Sequence, residues 1–213
     1  MWDSGDISRI EMAGDVKTEL ERRQQIFAAA EPIFIRFGYR KTTVEEICKA
    51  TRISKRTFYN LFTDKFDLLM RMHAQLAQDL TDRVRASIPD NASGAVGIYT
   101  YLDLFFEVTE ERPLFRVLLE EGDLMKQMTE IAPTDEQFSS VLVLLTEIVQ
   151  SGIDSGEFRQ MDAWTVTWVI QTMLDSIHVF MMGNPAASQA IDIDQFIEEM
   201  KMFIVNGLLA KQD

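Results

Sequence analysis

Residues 42–65 read TTVEEICKATRISKRTFYNLFTDK, and this stretch decides the fold of the N-terminal part of the chain. Thr43 is followed three residues later by Glu46, a capping-box spacing that predicts the start of a helix. A short turn then precedes Ser54, which is a natural N-cap for a second short helix. The stretch therefore predicts two helices around a tight turn, the pattern of a helix-turn-helix.

Positive charge gathers in the same region although the whole chain has a formal net charge of −13. From Arg36 to Lys65 there are eight Lys and Arg residues against three acidic ones, a local net charge of 8 − 3 = +5. A basic face on an acidic protein indicates a surface for a polyanion, since the bulk charge would repel one. The segment is therefore predicted to bind DNA.

The apolar positions of the segment predict which side chains face outward. Ile47, Ile53, Phe58 and Phe62 are expected to hold the two short helices together and against the preceding helix. A short helix presented in this way fits the major groove of DNA. The side chains left to project from the second short helix are Lys55, Arg56, Thr57, Tyr59 and Asn60.

The order and spacing of these residues resemble a known family. The matching positions are Ile26 to Ala30, Ile33-Phe34, Gly38-Tyr39, Thr42-Thr43-Val44, Ile47, Ile53-Ser54-Lys55, Thr57-Phe58-Tyr59, Phe62 and Lys65. Over about residues 20–70 the chain resembles the N-terminal signature of the tetracycline-repressor-like (TetR) family of bacterial regulators. A weaker similarity is the GEFR run at residues 156–159.

This resemblance implies a homodimeric transcriptional regulator, usually a repressor, with a small-molecule site in its C-terminal helices. It implies that Thr43, Tyr59 and Lys65 contact phosphates. It also implies that the base-reading surface includes Ser54, Lys55, Thr57 and Asn60. Family members often have glycine where this chain has Arg52 and Arg56, so the turn geometry is open to question at Arg52. We expect both arginines to contact DNA, since arginine can bind guanine or a phosphate.

Helical periodicity and helix end signals extend over the rest of the chain and predict an all-α fold. Residues 16–63 are predicted to form the helix-turn-helix domain and residues 64–213 an effector-binding and dimerisation domain, with residues 1–15 frayed. We expect the first helix to bend at Pro32 and to end at Gly38. The nine predicted helices lie at about 17–37, 43–50, 54–61, 64–88, 95–110, 114–128, 134–155, 162–182 and 192–211.

The last two predicted helices are apolar on more than one face, which predicts a homodimer. A small monomer core cannot satisfy two helices with such wide apolar coverage, whereas pairing with a second copy would bury them. A monomer with a large core is the alternative. The residues predicted to form the dimer interface are Ile170, Met173, Leu174, Ile177, Phe180, Met181, Phe196, Met200, Phe203, Ile204 and Leu208.

The effector site is the least defined part of the prediction. Its aromatic and aliphatic residues favour a mainly apolar effector, and a carboxylate facing the site would favour a cationic one. Each candidate residue could instead be ordinary core. The residues predicted to line the site are His73, Tyr101, Phe105, Leu118, Phe138, Val141, Leu145, Trp168, Thr172 and Asp175.

Other classes of protein fit the sequence less well. It has two histidines, one cysteine and none of the glycine-rich or nucleophile motifs, so we expect no catalytic residues, no metal and no cofactor. No window of 18 apolar residues occurs and no secretory pattern opens the chain, so we expect a cytoplasmic protein without a membrane segment. The remaining alternative is a helix-turn-helix regulator that responds to a protein partner instead of a small molecule.

Overall fold

The structure is a computed structural model that describes residues 4–114, 117, 124, 136–183 and 191–210. It describes the side chains of these residues except for 4–18, 136–139 and 178–183. Helices make up the regular structure of this part of the chain, as the sequence predicts, and no strand of a sheet occurs in it.

Eight helices are defined in the described ranges. Their bounds are α1 Ser4–Lys41, α2 Val44–Thr51, α3 Lys55–Leu61, α4 Lys65–Ser87, α5 Gly94–Glu111, α6 Glu136–Asp154, α7 Ala163–Gly183 and α8 Ile193–Leu208. The sixth predicted helix, over 114–128, lies mostly outside the described residues. The other eight predictions each correspond to one of these helices.

The first helix differs from its prediction at both ends. It begins at Ser4, where the sequence predicted a frayed segment, and Pro32 lies inside it. Its backbone leaves the helical region at Gly38, which has φ 76° and ψ 165°. Glycine is needed there because other residues rarely adopt a positive φ. The predicted helix end at Gly38 is thus a break, after which helical backbone continues to Lys41.

The chain divides into two compact units, Met1–Met72 and His73–Asp213, whereas the sequence analysis placed the boundary between residues 63 and 64. In the first unit, α2 packs against α1 and α3. Phe58 and Phe62 have ring centroids 5.3 Å apart, and Phe27 lies 6.0 Å from Phe62. Contacts among these rings hold the seven-residue α3 against α1, since a helix this short is not stable alone.

In the second unit, α6 packs against α5 and α7, and α8 packs against α5. Their inward faces share one apolar core that includes Ile98, Leu102, Val149 and Leu174. The core removes a continuous apolar surface from water, which is the main favourable contribution to the folding of this unit.

The GEFR run forms the turn after α6 and joins three helices of this unit. The Glu157 carboxylate accepts hydrogen bonds from the backbone N–H of Gly94, at 2.6 Å, and of Ala95, at 3.3 Å, at the start of α5. Phe158 is buried, and its N–H donates to the carbonyl of Gly152 at 2.9 Å. The Arg159 N–H donates to the carbonyl of Leu208 at the end of α8. The run therefore has a structural role in this unit.

Candidate nucleic-acid interface

The N-terminus of α2 is built by the predicted capping box. The Thr43 hydroxyl accepts from the backbone N–H of Glu46 at 3.2 Å, and the Glu46 carboxylate accepts from the Thr43 N–H at 2.8 Å. The hydrogen bonds that the Glu46 carboxylate accepts from the backbone N–H and the hydroxyl of Thr43 lower the pKa of Glu46. Thr43 is exposed at the helix end, where free backbone N–H groups and the helix dipole favour an anion.

The turn between α2 and α3 keeps left-handed geometry without glycine. Arg52 has φ 57° and ψ 35°, and its N–H donates to the carbonyls of Cys48 and Lys49 at the end of α2. The Ile53 N–H closes the turn by donating to the Cys48 carbonyl at 3.0 Å. The absence of glycine therefore does not change the turn type, but Arg52 adopts a conformation that costs a residue with a Cβ about 1–2 kcal/mol.

The α3 helix starts at its predicted cap and presents a polar face. The Ser54 hydroxyl accepts from the Thr57 N–H at 3.0 Å. Phe58 is completely buried, while the ring of Tyr59 beside it is 55% exposed. The other exposed side chains of this surface are Arg52, Ser54, Lys55, Arg56 and Asn60, and Thr57 is half-buried. We call the exposed residues of α3, from Lys55 to Asn60, the α3 face.

An ion pair joins the α3 face to α2. The Lys55 ammonium donates to the Glu45 carboxylate on α2 at 2.9 Å, and both side chains are largely exposed. The hydrogen bond and the charge of Lys55 lower the pKa of Glu45, and Glu45 in turn raises the pKa of Lys55. Glu45 was not among the predicted site residues. Glu45 and Lys55 are ten positions apart in the sequence, which is not a spacing that brings residues together on one helix. Only the packing of α2 on α3 brings them into contact.

Lys65 is placed differently from the prediction that it contacts phosphate. Its ammonium donates to the backbone carbonyls of Tyr39, at 2.5 Å, and Thr42, at 2.7 Å, and lies 4.0 Å from the centroid of the Tyr39 ring. The side chain is half-buried. Because its charge is engaged at the junction of α1 and α2, we remove Lys65 from the proposed DNA contacts.

Five of the ten predicted effector-site residues lie in the interior of the second unit, namely His73, Tyr101, Phe105, Val141 and Leu145. Burial lowers the pKa of His73 to about 3, so this imidazole is neutral. Trp168 is 39% exposed and Thr172 is exposed, so both leave the proposed site because they point away from that interior. Leu118 and the side chain of Phe138 lie outside what the structure describes.

A short polar chain runs through this apolar interior. The buried Tyr101 hydroxyl donates to the Gln171 side-chain carbonyl at 2.9 Å, and the Gln171 amide donates to the Asp175 carboxylate at 2.9 Å. Burial raises the pKa of Asp175 to about 6 and also raises the pKa of Tyr101. Gln171 was not predicted as a site residue. The i, i+4 spacing of Gln171 and Asp175 on α7 is the signal that could have paired them.

The predicted dimer residues divide into two sets. Five of them are buried in the core of their own chain and cannot form a surface for a second copy: Ile170, Leu174, Met200, Ile204 and Leu208. Met173, Ile177 and Phe196 are half-buried, Phe203 is 73% exposed, and the side chains of Phe180 and Met181 lie outside the described part of the chain. This part of the prediction needs correction, because α7 and α8 each carry apolar residues on their inner and outer sides.

The outer sides of α7 and α8 carry large exposed apolar residues, of which the dimer prediction named Phe203 and left out Trp164, Trp168, Val169 and Met202. Trp164 and Trp168 meet edge to face with ring centroids 5.9 Å apart, and Val169 is 53% exposed on the same helix. On α8, an open groove of about 570 Å³ is lined by Phe196, Glu199, Met200, Met202, Phe203 and Asn206. We call the exposed residues Trp164, Trp168, Val169, Met202 and Phe203 the outer apolar set.

The described residues offer neither a metal-binding cluster nor a membrane-spanning helix. Among the residues that the structure describes, no group of three or more His, Cys, Asp or Glu side chains could hold a metal ion. Within the same ranges, none of the helices has the length and hydropathy needed to cross a bilayer.

Comparison with known proteins gives one family. Residues 26–72 match the model of bacterial regulatory proteins of the tetR family. The uncharacterized HTH-type transcriptional regulator YhgD of Bacillus subtilis (strain 168) is 20% identical over 90% of this chain and 98% of its own length. The HTH-type transcriptional activator FasR of Mycolicibacterium smegmatis is 22% identical over 88% of this chain and 83% of its own.

A solved structure has the same fold. The transcriptional regulator FadR from Bacillus subtilis, in complex with stearoyl-CoA, superposes with a TM-score of 0.68 at 20% identity. The superposition covers 87% of this chain and 98% of FadR. At this level of identity the likeness shows that the two chains share a fold.

Proposed function

Because this chain belongs to the TetR family and is a transcriptional regulator with a DNA-binding helix-turn-helix, we propose that it binds a palindromic operator as a dimer and is released by a small, mainly apolar effector. The observation that carries the proposal is the α3 face: four exposed polar side chains on a short helix that a buried Phe58 holds in place. Such a helix fits the major groove and brings its first residues to the base edges.

We assign roles on this surface from chemistry and position. Arg56 can bind guanine or a phosphate, and Asn60 can bind adenine in a bidentate manner. Thr43, at the exposed N-terminus of α2, and Tyr59 suit phosphate contacts. Ser54, Lys55, Thr57 and Arg52 complete the proposed contact set.

The substitution Arg56→Ala tests the DNA-binding surface. We expect weaker binding to a duplex from upstream of the gene for this chain, and a slope of log affinity against log salt that is shallower by about 0.9 per bound protomer. Fluorescence anisotropy at several salt concentrations measures both quantities. The same affinity and slope in Arg56→Ala and the unsubstituted chain would remove Arg56 from the interface.

Dimerisation is proposed through the outer apolar set on α7 and α8. These side chains would be buried by a second copy, and two copies would present two α3 faces to adjacent turns of DNA, about 34 Å apart. Phe203→Glu is expected to shift the chain to a monomer in analytical ultracentrifugation. Val143→Glu is the matched control, since Val143 is 42% exposed on α6 and lies outside the proposed interface. A dimer that withstands Phe203→Glu at micromolar concentration would argue against this interface.

An apolar effector is supported by the buried aromatic and aliphatic side chains of the predicted site. FadR, which shares its fold with the present protein, is in complex with stearoyl-CoA, a ligand with a long acyl group. We propose that the effector enters the interior near Phe105 and Leu145, with the polar chain from Tyr101 to Asp175 next to its polar end. A thermal-shift series of fatty acyl-CoA thioesters of increasing chain length tests this. No shift with any of them, but a shift with a copurifying protein, would favour the alternative of a protein partner.

We propose repression as the direction of control, because a dimer seated on two turns of a promoter blocks access to it. The relative FasR is named as a transcriptional activator, which is the opposite direction. A reporter driven by the upstream region should rise in activity when the gene for this chain is deleted. A fall would show activation. A bacterial regulator that binds chromosomal DNA acts in the cytoplasm, and we propose that location.

A further inference from the structure

The first turn of α2 contains two carboxylates with different tasks. Glu46 is engaged by the backbone and hydroxyl of Thr43, which complete the cap of the helix. Glu45 has no part in that cap, and its carboxylate instead lies 2.9 Å from the ammonium of Lys55. The side chain of Glu45 is 76% exposed and that of Lys55 is 59% exposed. A negative charge therefore stands at the edge of the surface proposed to meet a polyanion.

This position is costly for DNA binding. A carboxylate beside phosphates is repelled, and a lysine that is already paired with it adds less to counterion release than a free one. Lys49, four residues further along α2, also lowers the pKa of Glu45, so the carboxylate lies within a basic environment. The pair contributes little to the stability of the fold, because exposed ion pairs are screened by water and salt. Its consequence is therefore expected in binding.

We propose that Glu45 acts as the internal counter-ion of Lys55 and lowers the affinity of the α3 face for non-specific DNA. The charge of Lys55 is already balanced by Glu45, so a DNA contact of Lys55 competes with an existing ion pair. A phosphate contact alone offsets little of the lost interaction with Glu45, whereas a bidentate contact to guanine can offset it. This inference rests on the proposed role of the α3 face in DNA binding.

The test uses Glu45→Gln, which keeps the size of the side chain and removes its charge. The probe is a fluorescein-labelled random-sequence duplex of about 30 base pairs, titrated by anisotropy at several salt concentrations. We expect Glu45→Gln to bind this duplex about twofold to fivefold more tightly than the unsubstituted chain. The salt slope should become steeper by up to about 0.9 per bound protomer.

Two further variants separate the ion pair from simple repulsion. In the Lys55→Gln background the gain from Glu45→Gln should be smaller, because only the repulsion between the carboxylate and the phosphates is removed and no lysine is released. Glu110→Gln is the charge control, since Glu110 is an exposed carboxylate on α5 in the other unit. It should leave the affinity unchanged. Unfolding midpoints of all variants should agree, which separates a binding effect from a folding defect.

Each outcome decides the inference. No gain from Glu45→Gln, or the same gain with and without Lys55, would overturn the counter-ion role. An equal gain from Glu110→Gln would also overturn it, since net charge alone would then explain the effect. A failure of the unsubstituted chain to bind any duplex at low salt is a different result, because it would overturn the proposed DNA-binding role itself.

Discussion

The left-handed conformation of Arg52 leads to a prediction that separates stability from DNA binding. Its φ of 57° costs about 1–2 kcal/mol for a residue with a Cβ, and glycine adopts the same conformation freely. Glycine also gives the unfolded chain more freedom, which offsets about 0.4–1 kcal/mol of the gain. Arg52→Gly should therefore stabilise the fold by roughly 0.5–1 kcal/mol, a rise in melting temperature of about 1–4 °C for a chain of this size.

The same substitution should weaken DNA binding, because it removes the guanidinium proposed to contact a phosphate or guanine. We expect the salt slope to become shallower by about 0.9 per bound protomer. Thermal unfolding followed by circular dichroism measures the first effect, and anisotropy titration over a range of salt concentrations measures the second. The backbone contacts of the turn to Cys48 and Lys49 do not involve the side chain, so they remain in the variant.

Arg52→Ala is the matched control. It also removes the guanidinium but keeps a Cβ at a positive φ, so it should lose the same DNA affinity without the gain in stability. Equal melting temperatures for the glycine and alanine variants would refute the claim that this turn is strained. Unchanged DNA affinity in both variants would refute the proposed contact of Arg52 and leave the strain argument intact.

Three further predictions concern packing, titration and the α1–α2 junction. Gly152→Ala places a Cβ 2.2 Å from the ring of Phe158, so it should destabilise the fold by about 1–3 kcal/mol in urea unfolding, whereas Gly207→Ala, with nothing within 4 Å, should not. The pKa of Asp175 is raised from 3.8 to about 6, so its stabilising effect is complete below about pH 4 and is lost as the pH rises through 6. At pH 7, Asp175→Asn should therefore have a free energy of unfolding up to about 3 kcal/mol higher than that of the unsubstituted chain in urea titrations. The difference should disappear at pH 4. Lys65→Met should lower the unfolding free energy by about 1–3 kcal/mol, because two carbonyls lose their donor. It should leave the salt slope of DNA binding unchanged, whereas the loss of a phosphate contact would make that slope shallower.

Local signals in the sequence predicted much of the first unit. The capping box of Thr43 and Glu46 and the cap at Ser54 are visible in sequence, because each pairs residues three positions apart. The helix break at Gly38 follows from the special φ of glycine. Contacts of this kind join residues that are close together in the sequence, so residue types at fixed spacings are sufficient to predict them.

The residues whose environment differs from the prediction depend on contacts that the local sequence does not specify. Lys65 reaches a carbonyl 26 positions earlier, at Tyr39, and no local spacing predicts such a contact. On α7, Trp168 and Ile170 are both apolar, yet the first is exposed and the second is buried. A helix that is apolar on two sides has no single period that separates its core side from its outer side. The fold decides between them, and the sequence pattern does not.

Two copies of the α3 face are proposed to enter adjacent major grooves of one duplex. Hydroxyl-radical footprinting of the region upstream of the gene tests it most directly, with the unsubstituted chain and with Phe203→Glu. We predict two protected patches related by symmetry and about one helical turn apart, and their loss at the same protein concentration in Phe203→Glu. Uniform protection without spaced patches, or the same two patches from a chain that ultracentrifugation shows to be monomeric, would rule out binding by two copies of the α3 face.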